Sequence, residues 1–63
     1  MNDTKHSEII RMGARVKVFE GGHVVARGEV QSYNEQIGWY CVRIDGVPQS
    51  FLANYPALRV ERE

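Results

Sequence analysis

The stretch GWYCVRIDGVPQSFLANYPALRV, Gly38 to Val60, decides the fold. Trp39 to Ile44 alternates. Tyr40, Val42 and Ile44 fall on one side and Trp39, Cys41 and Arg43 on the other, the two-residue period of a half-buried strand. The first set is apolar and marks a core face; the second ends in an arginine and faces solvent or a partner. Asp45-Gly46 predicts a tight hairpin turn, because such turns need residues that tolerate positive φ. Pro48 has no N–H for a ladder, so the next strand is expected to start at Gln49, with Phe51 pointing inward. Tyr55-Pro56 is expected to break that strand for the same reason. A one-turn helix and a last strand follow. Leu58 and Val60 are expected in the core, while Arg59, Glu61 and Arg62 stay wet.

Upstream, Ala14 to Phe19 alternates as well, with Val16 and Val18 on the core side and Arg15 and Lys17 outside. Gly21-Gly22 makes a turn. His23 to Tyr33 is long for one strand. Strict alternation puts Val24, Ala26 and Val30 inside and Val25, Arg27, Glu29, Gln31 and Tyr33 outside. Gly28, in its middle, predicts a bulge or sharp bend that lets one strand serve two sheets. Asn34 to Gly38 is a polar loop. Residues 1–11 form a tail in which Asp3 or Thr4 can cap a short helix running to Arg11. Residues 12–63 form the domain. The expected fold is all-β, a small five-stranded barrel with a one-turn helix before the last strand.

Sixty-three residues make one domain. A chain of this length buries only about 60% of its unfolded surface, so its stability margin is thin. Cys41 is the sole cysteine, which excludes an internal disulfide. Cys41, His6 and His23 lack the spacing of zinc ligands, so no metal is expected. No apolar run approaches the ~20 residues of a membrane span, and the N-terminus lacks the apolar core of a signal peptide. A cytoplasmic protein is expected. Eight basic and eight acidic side chains cancel. Nucleic-acid binders usually carry a basic excess, whereas zero net charge favours self-association.

No phosphate-binding glycine loop, metal-ligand cluster or nucleophile motif is present, so neither catalysis nor a cofactor is expected. His23 reads as a turn residue. Cys41 reads as a small filler, since Tyr40 and Val42 do nothing to lower a thiol pKa. Trp39 is the most informative single residue, because alternation sets it opposite the core face. An outward tryptophan offers large contact area at little rotamer cost.

The same segment resembles the second half of Src-homology-3 domains. The residues that carry the resemblance are the aromatic pair Trp39-Tyr40, the turn glycine Gly46 and Phe51-Leu52-Ala53-Asn54-Tyr55. It implies an SH3-like barrel in which Phe51 to Tyr55 form the short turn before the final strand. In that family the first aromatic, a proline and the tyrosine of the second motif line a groove for Pro-rich peptides. Trp39 and Tyr55 are retained here and Leu52 replaces the proline. The resemblance thus implies that Trp39, Leu52 and Tyr55 form one partly exposed patch.

The chain is also similar in order to the plasmid-borne type II dihydrofolate reductases. Met12-Gly13 with Arg15-Val16, Gly28 before an apolar-aromatic strand, and Tyr55-Pro56 with Ala57-Leu58 carry that similarity. Those enzymes are tetramers around one pore lined by a Val-Gln-Ile-Tyr segment. Here the aligned segment is Leu52-Ala53-Asn54-Tyr55. Tyr55 is kept, Ala53 stands for the ligand-contacting glutamine, and Val18 for the pore lysine. The similarity implies the fold and a homo-oligomer, and speaks against the activity.

These readings converge on a non-catalytic interaction module. It is expected to bind a protein partner or its own copies through an aromatic patch, with Trp39, Leu52, Tyr55 and Tyr33 as candidate binding residues. One alternative is a nucleic-acid-binding accessory protein using Arg15, Lys17, Arg27 and Arg43 with Tyr33 and Trp39, provided those cations converge on one face. Another is a reductase-like oligomeric enzyme.

Overall fold

The structure, a computed structural model, describes residues 9–48 and 50–63. It is all-β. Five strands, β1 (Arg15–Glu20), β2 (His23–Asn34), β3 (Trp39–Ile44), β4 (Leu52–Pro56) and β5 (Val60–Arg62), form one antiparallel sheet in the order β4-β3-β2-β1-β5. A 3-10 turn, Ala57–Arg59, precedes β5. The sheet is open: β4 and β5 are its two edges, so the closed barrel expected from the sequence is not reached among the described residues. The Asp3/Thr4 start of the expected N-terminal helix lies outside the described residues, and residues 9–11 are not helical. Among the described residues, no helix is long and apolar enough to cross a membrane.

Gly21 and Gly22 both have positive φ, 60° and 84°. With Glu20 facing His23 across the hairpin, this is a two-residue turn whose twist matches that of the strands it joins. The long strand β2 is shared. His23 to Glu29 pair with β1, and Gly28 to Asn34 pair with β3. Gly28 sits where the two ladders overlap, and the β3 backbone comes so close that a Cβ there would lie 2.0 Å from Arg43 O.

The core occupies one face. Val16, Val18, Val30, Tyr40, Val42 and Val60 are buried together, and Ile10, Ala26, Tyr33, Ile44, Tyr55 and Ala57 pack around them. The segment before β1 is tied to this core. Ile10 N–H donates to Tyr40 Oη at 2.9 Å, and Gly13 and Ala14 exchange main-chain bonds with Val30.

Two single-residue bulges in β2 correct the expected facing. Val18 pairs with Ala26 but Phe19 pairs with Val24, so Val25 is the extra residue. Val30 pairs with Val42 but Ser32 pairs with Cys41, so Gln31 is the second. An inserted residue inverts the alternation beyond it. Val24 thereby turns out of the core, and Tyr33, expected outside, turns in beside Tyr40.

The β3–β4 connection differs too. Asp45-Gly46 turns the chain, but β4 begins only at Leu52, and Phe51, expected in the core, is 52% exposed with its N–H bonded to Pro48 O. Gln49, the expected strand start, lies outside the described residues. The Phe51–Tyr55 segment, a turn by the Src-homology-3 resemblance but strand by its own pattern, is mostly strand β4, which runs on through Pro56; the 3-10 turn starts at Ala57, six residues after Phe51. Leu58, expected in the core, is 88% exposed. A 3-10 helix repeats every three residues, so Ala57 and Val60 share the inner side and Leu58 points away. Leu58→Ala is therefore expected to shift stability by no more than about 0.5 kcal/mol, read by thermal melting; a loss of several kcal/mol would return Leu58 to the core.

Candidate functional site

Cross-strand partners in an antiparallel sheet share a face. On the face away from the core, three rows cross β2, β3 and β4. They are Asn34–Trp39–Pro56, Ser32–Cys41–Asn54, and Glu29–Arg43–Leu52. The middle row is short and polar, whereas Trp39 stands tall in the row above it. Rows on one face are two residues apart, about 6.6 Å. The difference in side-chain height leaves a groove of about 500 Å³ lined by Ser32, Asn34, Ile37, Trp39, Cys41 and Asn54. Trp39 is 38% exposed, and Ile37, from the β2–β3 loop, adds a second exposed apolar wall.

The loop that presents Ile37 is held by Asn34. Its Oδ1 accepts from Gln36 N–H at 3.0 Å and its main-chain oxygen accepts from Gly38 N–H at 2.8 Å. Asn34 lines the groove together with Ser32 and Asn54, and its amide nitrogen is a hydrogen-bond donor. Among the described residues, none that lines the groove carries a charge.

The four candidate residues do not form one patch. Trp39 and Leu52 lie on the outer face. Tyr55 is the cross-strand partner of Tyr40 and packs with it against the core, so it stands on the opposite face from Trp39. Tyr33 also lies inside, its ring centroid 4.6 Å from that of Tyr40. Tyr33, Tyr40 and Tyr55 thus make one row across the inner face, and the Arg59 guanidinium sits 5.8 Å from the Tyr55 ring. Arg59 is itself fixed, donating from Nε to Phe19 O at 2.8 Å and pairing with Glu20 at 3.0 Å.

The cations singled out in the sequence do share a face. Arg15 and Arg43 flank Glu29 in one row, and Lys17 pairs across with Arg27 in the next. Their charges are met by acids, however. Arg43 binds Glu29 at 2.8 Å, Arg15 grips Asp45 through both Nη atoms, and Arg15 and Arg27 both reach Glu63, at 3.6 and 3.7 Å. The Arg15 hydrogen bonds hold the Asp45 carboxyl below its ordinary pKa. Lys17 Nζ lies 5.7 Å from the Phe19 ring centroid. No family model matches the chain, and no curated protein or solved structure matches it either.

Cys41 and Trp39 are on the groove face as alternation places them. Asn54 falls within the strand expected between Gln49 and the Tyr55-Pro56 break, but a short amide in a strand carries no signal that marks it for binding. Ser32 escaped because the Gln31 bulge moves it to the groove face. Ile37 sits in a loop and carries no periodic signal. Among the described residues, no group of histidine, cysteine and acidic side chains is arranged to hold a metal ion.

Proposed function

We propose that this chain is a non-catalytic interaction module that holds an uncharged apolar side chain of a protein partner in the groove beside Trp39. The half-exposed Trp39 above a small polar floor carries this reading. A large flat ring next to a row of short side chains gives a partner's side chain both a wall and a floor, and aromatic anchors of this kind dominate interface energies. The charge-free lining favours a neutral group over phosphate or carboxylate. The amide of Asn54, the amide nitrogen of Asn34 and the Ser32 hydroxyl supply the few polar contacts that fix orientation.

Selection of binding peptides from a random displayed library tests it. Enriched sequences are expected to share an uncharged aromatic or branched apolar residue. Trp39→Ala should weaken their binding by tenfold or more, in line with hot-spot losses of about 2 kcal/mol, while leaving the melting curve close to that of the parent. Peptides that bind the variant as well as the parent would sink the proposal. Folate and nicotinamide titration is expected to leave Trp39 fluorescence unchanged.

A nucleic-acid reading draws support from the shared face of Arg15, Lys17, Arg27 and Arg43. The acids that pair with the three arginines weigh against it, since phosphates would have to displace them. Binding to single-stranded DNA or RNA that falls steeply with salt would favour that reading over the peptide groove.

A further inference from the structure

The two edges of the sheet differ in how they are protected. β5 has only three residues, of which Glu61 and Arg62 are charged, and short charged edges resist pairing. β4 reads Leu-Ala-Asn-Tyr-Pro, with no charge along it. Its main chain can be assigned. Ala57 N–H donates to Gly38 O at 2.8 Å, directly beyond the Trp39–Pro56 pair. Bonded pairs recur at every second residue of an antiparallel ladder, so the β3–β4 bonds fall at Tyr40–Tyr55 and Val42–Ala53. Leu52, Asn54 and Pro56 therefore aim their main-chain groups away from β3. Among the described residues nothing pairs with that side. Pro56, which lacks an N–H, blunts only the end of the edge. Among the described residues, the main-chain donor and acceptor of Leu52 and of Asn54 find no partner.

We propose that β4 is the edge through which two copies of this chain join, antiparallel, into one continuous sheet. The open groups match their own two-fold image. With Ala53 facing Ala53 of the second copy, Leu52 of each chain lies opposite Asn54 of the other, and each such pair exchanges two main-chain bonds. An uncharged strand meets no like charge in its copy, and the chain as a whole carries no net charge to hold copies apart. In this register Phe51 lies opposite the second copy's Tyr55, which covers a ring that the single chain leaves half-exposed. The proposal is independent of the Trp39 groove, which opens on the face of the sheet rather than its edge.

Solution mass and main-chain hydrogen exchange test it. The full chain is expected to weigh two chains, with the Leu52 and Asn54 amides protected at high concentration and exchanging fast on dilution. Asn54→Pro removes an N–H that the single chain does not use, and its residue lies in an extended strand that proline tolerates. This variant is expected to stay folded and to weigh one chain. Trp39→Ala is expected to keep the doubled mass, which separates this edge from the groove. A single-chain mass for the parent at its highest soluble concentration overturns the proposal. So does a folded Asn54→Pro that keeps the doubled mass, or a Trp39→Ala that loses it. Should Asn54→Pro fail to fold, the exchange of the two amides in the parent decides: fast exchange at every concentration overturns the proposal, and concentration-dependent protection supports it.

Discussion

Gly28→Ala is expected to unfold this protein at room temperature or bring it to the edge of unfolding. The added Cβ would lie 2.0 Å from Arg43 O, 2.9 Å from Arg43 C and 3.1 Å from Ile44 Cα. All three are main-chain atoms, so no side chain can swing aside. Relief requires β2 and β3 to separate by more than an ångström where β2 is also paired to β1 through Val16. Overpacking of a core typically costs 1–3 kcal/mol when side chains absorb it; a clash between backbones in a shared ladder is expected to cost about 3 kcal/mol or more. A domain of this size has roughly 3–9 kcal/mol in all. The melting temperature should fall by more than about 12 °C. A variant that melts within a few degrees of the parent would show that the ladders do not overlap at Gly28.

Tyr40→Ala is expected to be comparably damaging, for a different reason. Tyr40 is the one buried aromatic among the described residues, in contact with the valine cluster and stacked at a tilt on Tyr33. Truncating a buried aromatic costs about 3–5 kcal/mol, the sum of lost transfer energy and the cavity left behind. Tyr40→Phe separates the ring from its hydroxyl. The ring stays, but Ile10 N–H loses its acceptor, which costs about 1 kcal/mol. The amide of Ile10 should then exchange faster while the sheet amides change little. Equal losses from both substitutions would mean that the hydroxyl, not the ring, carries the stability.

Strands β1 and β3 are legible in the sequence because nothing interrupts their alternation. Val16, Val18, Tyr40 and Val42 are buried on that pattern alone, and Trp39 turns outward on it. Val30 and Val60 are placed the same way. The bulge expected at Gly28 falls instead at Val25 and Gln31; Gly28 itself stays in register with Val16 and Ile44, and what requires a glycine there is the close approach of the β3 backbone. The groove is half legible: Trp39 and Cys41 follow from β3, whereas the local pattern misassigns the facing of Ser32 and nothing in it marks Asn54 for binding.

By itself the sequence determined an all-β chain with most of its strands, the glycine turn after Glu20, the valine face of the core and the outward tryptophan. Each of these depends on a period of two residues or on a turn, and both are local. Only the tertiary structure decided that Val24 turns out and Tyr33 turns in, that Phe51 and Leu58 stay in solvent, and that Tyr55 lies across the sheet from Trp39. The physical reason is that a bulge is set by pairing between strands. Val25 and Gln31 are extra only relative to the partners that Val18, Phe19, Val42 and Cys41 present across the ladder. An added residue reverses every side chain beyond it, so the contents of each face were fixed by the neighbouring strands and not by the segment that carries them.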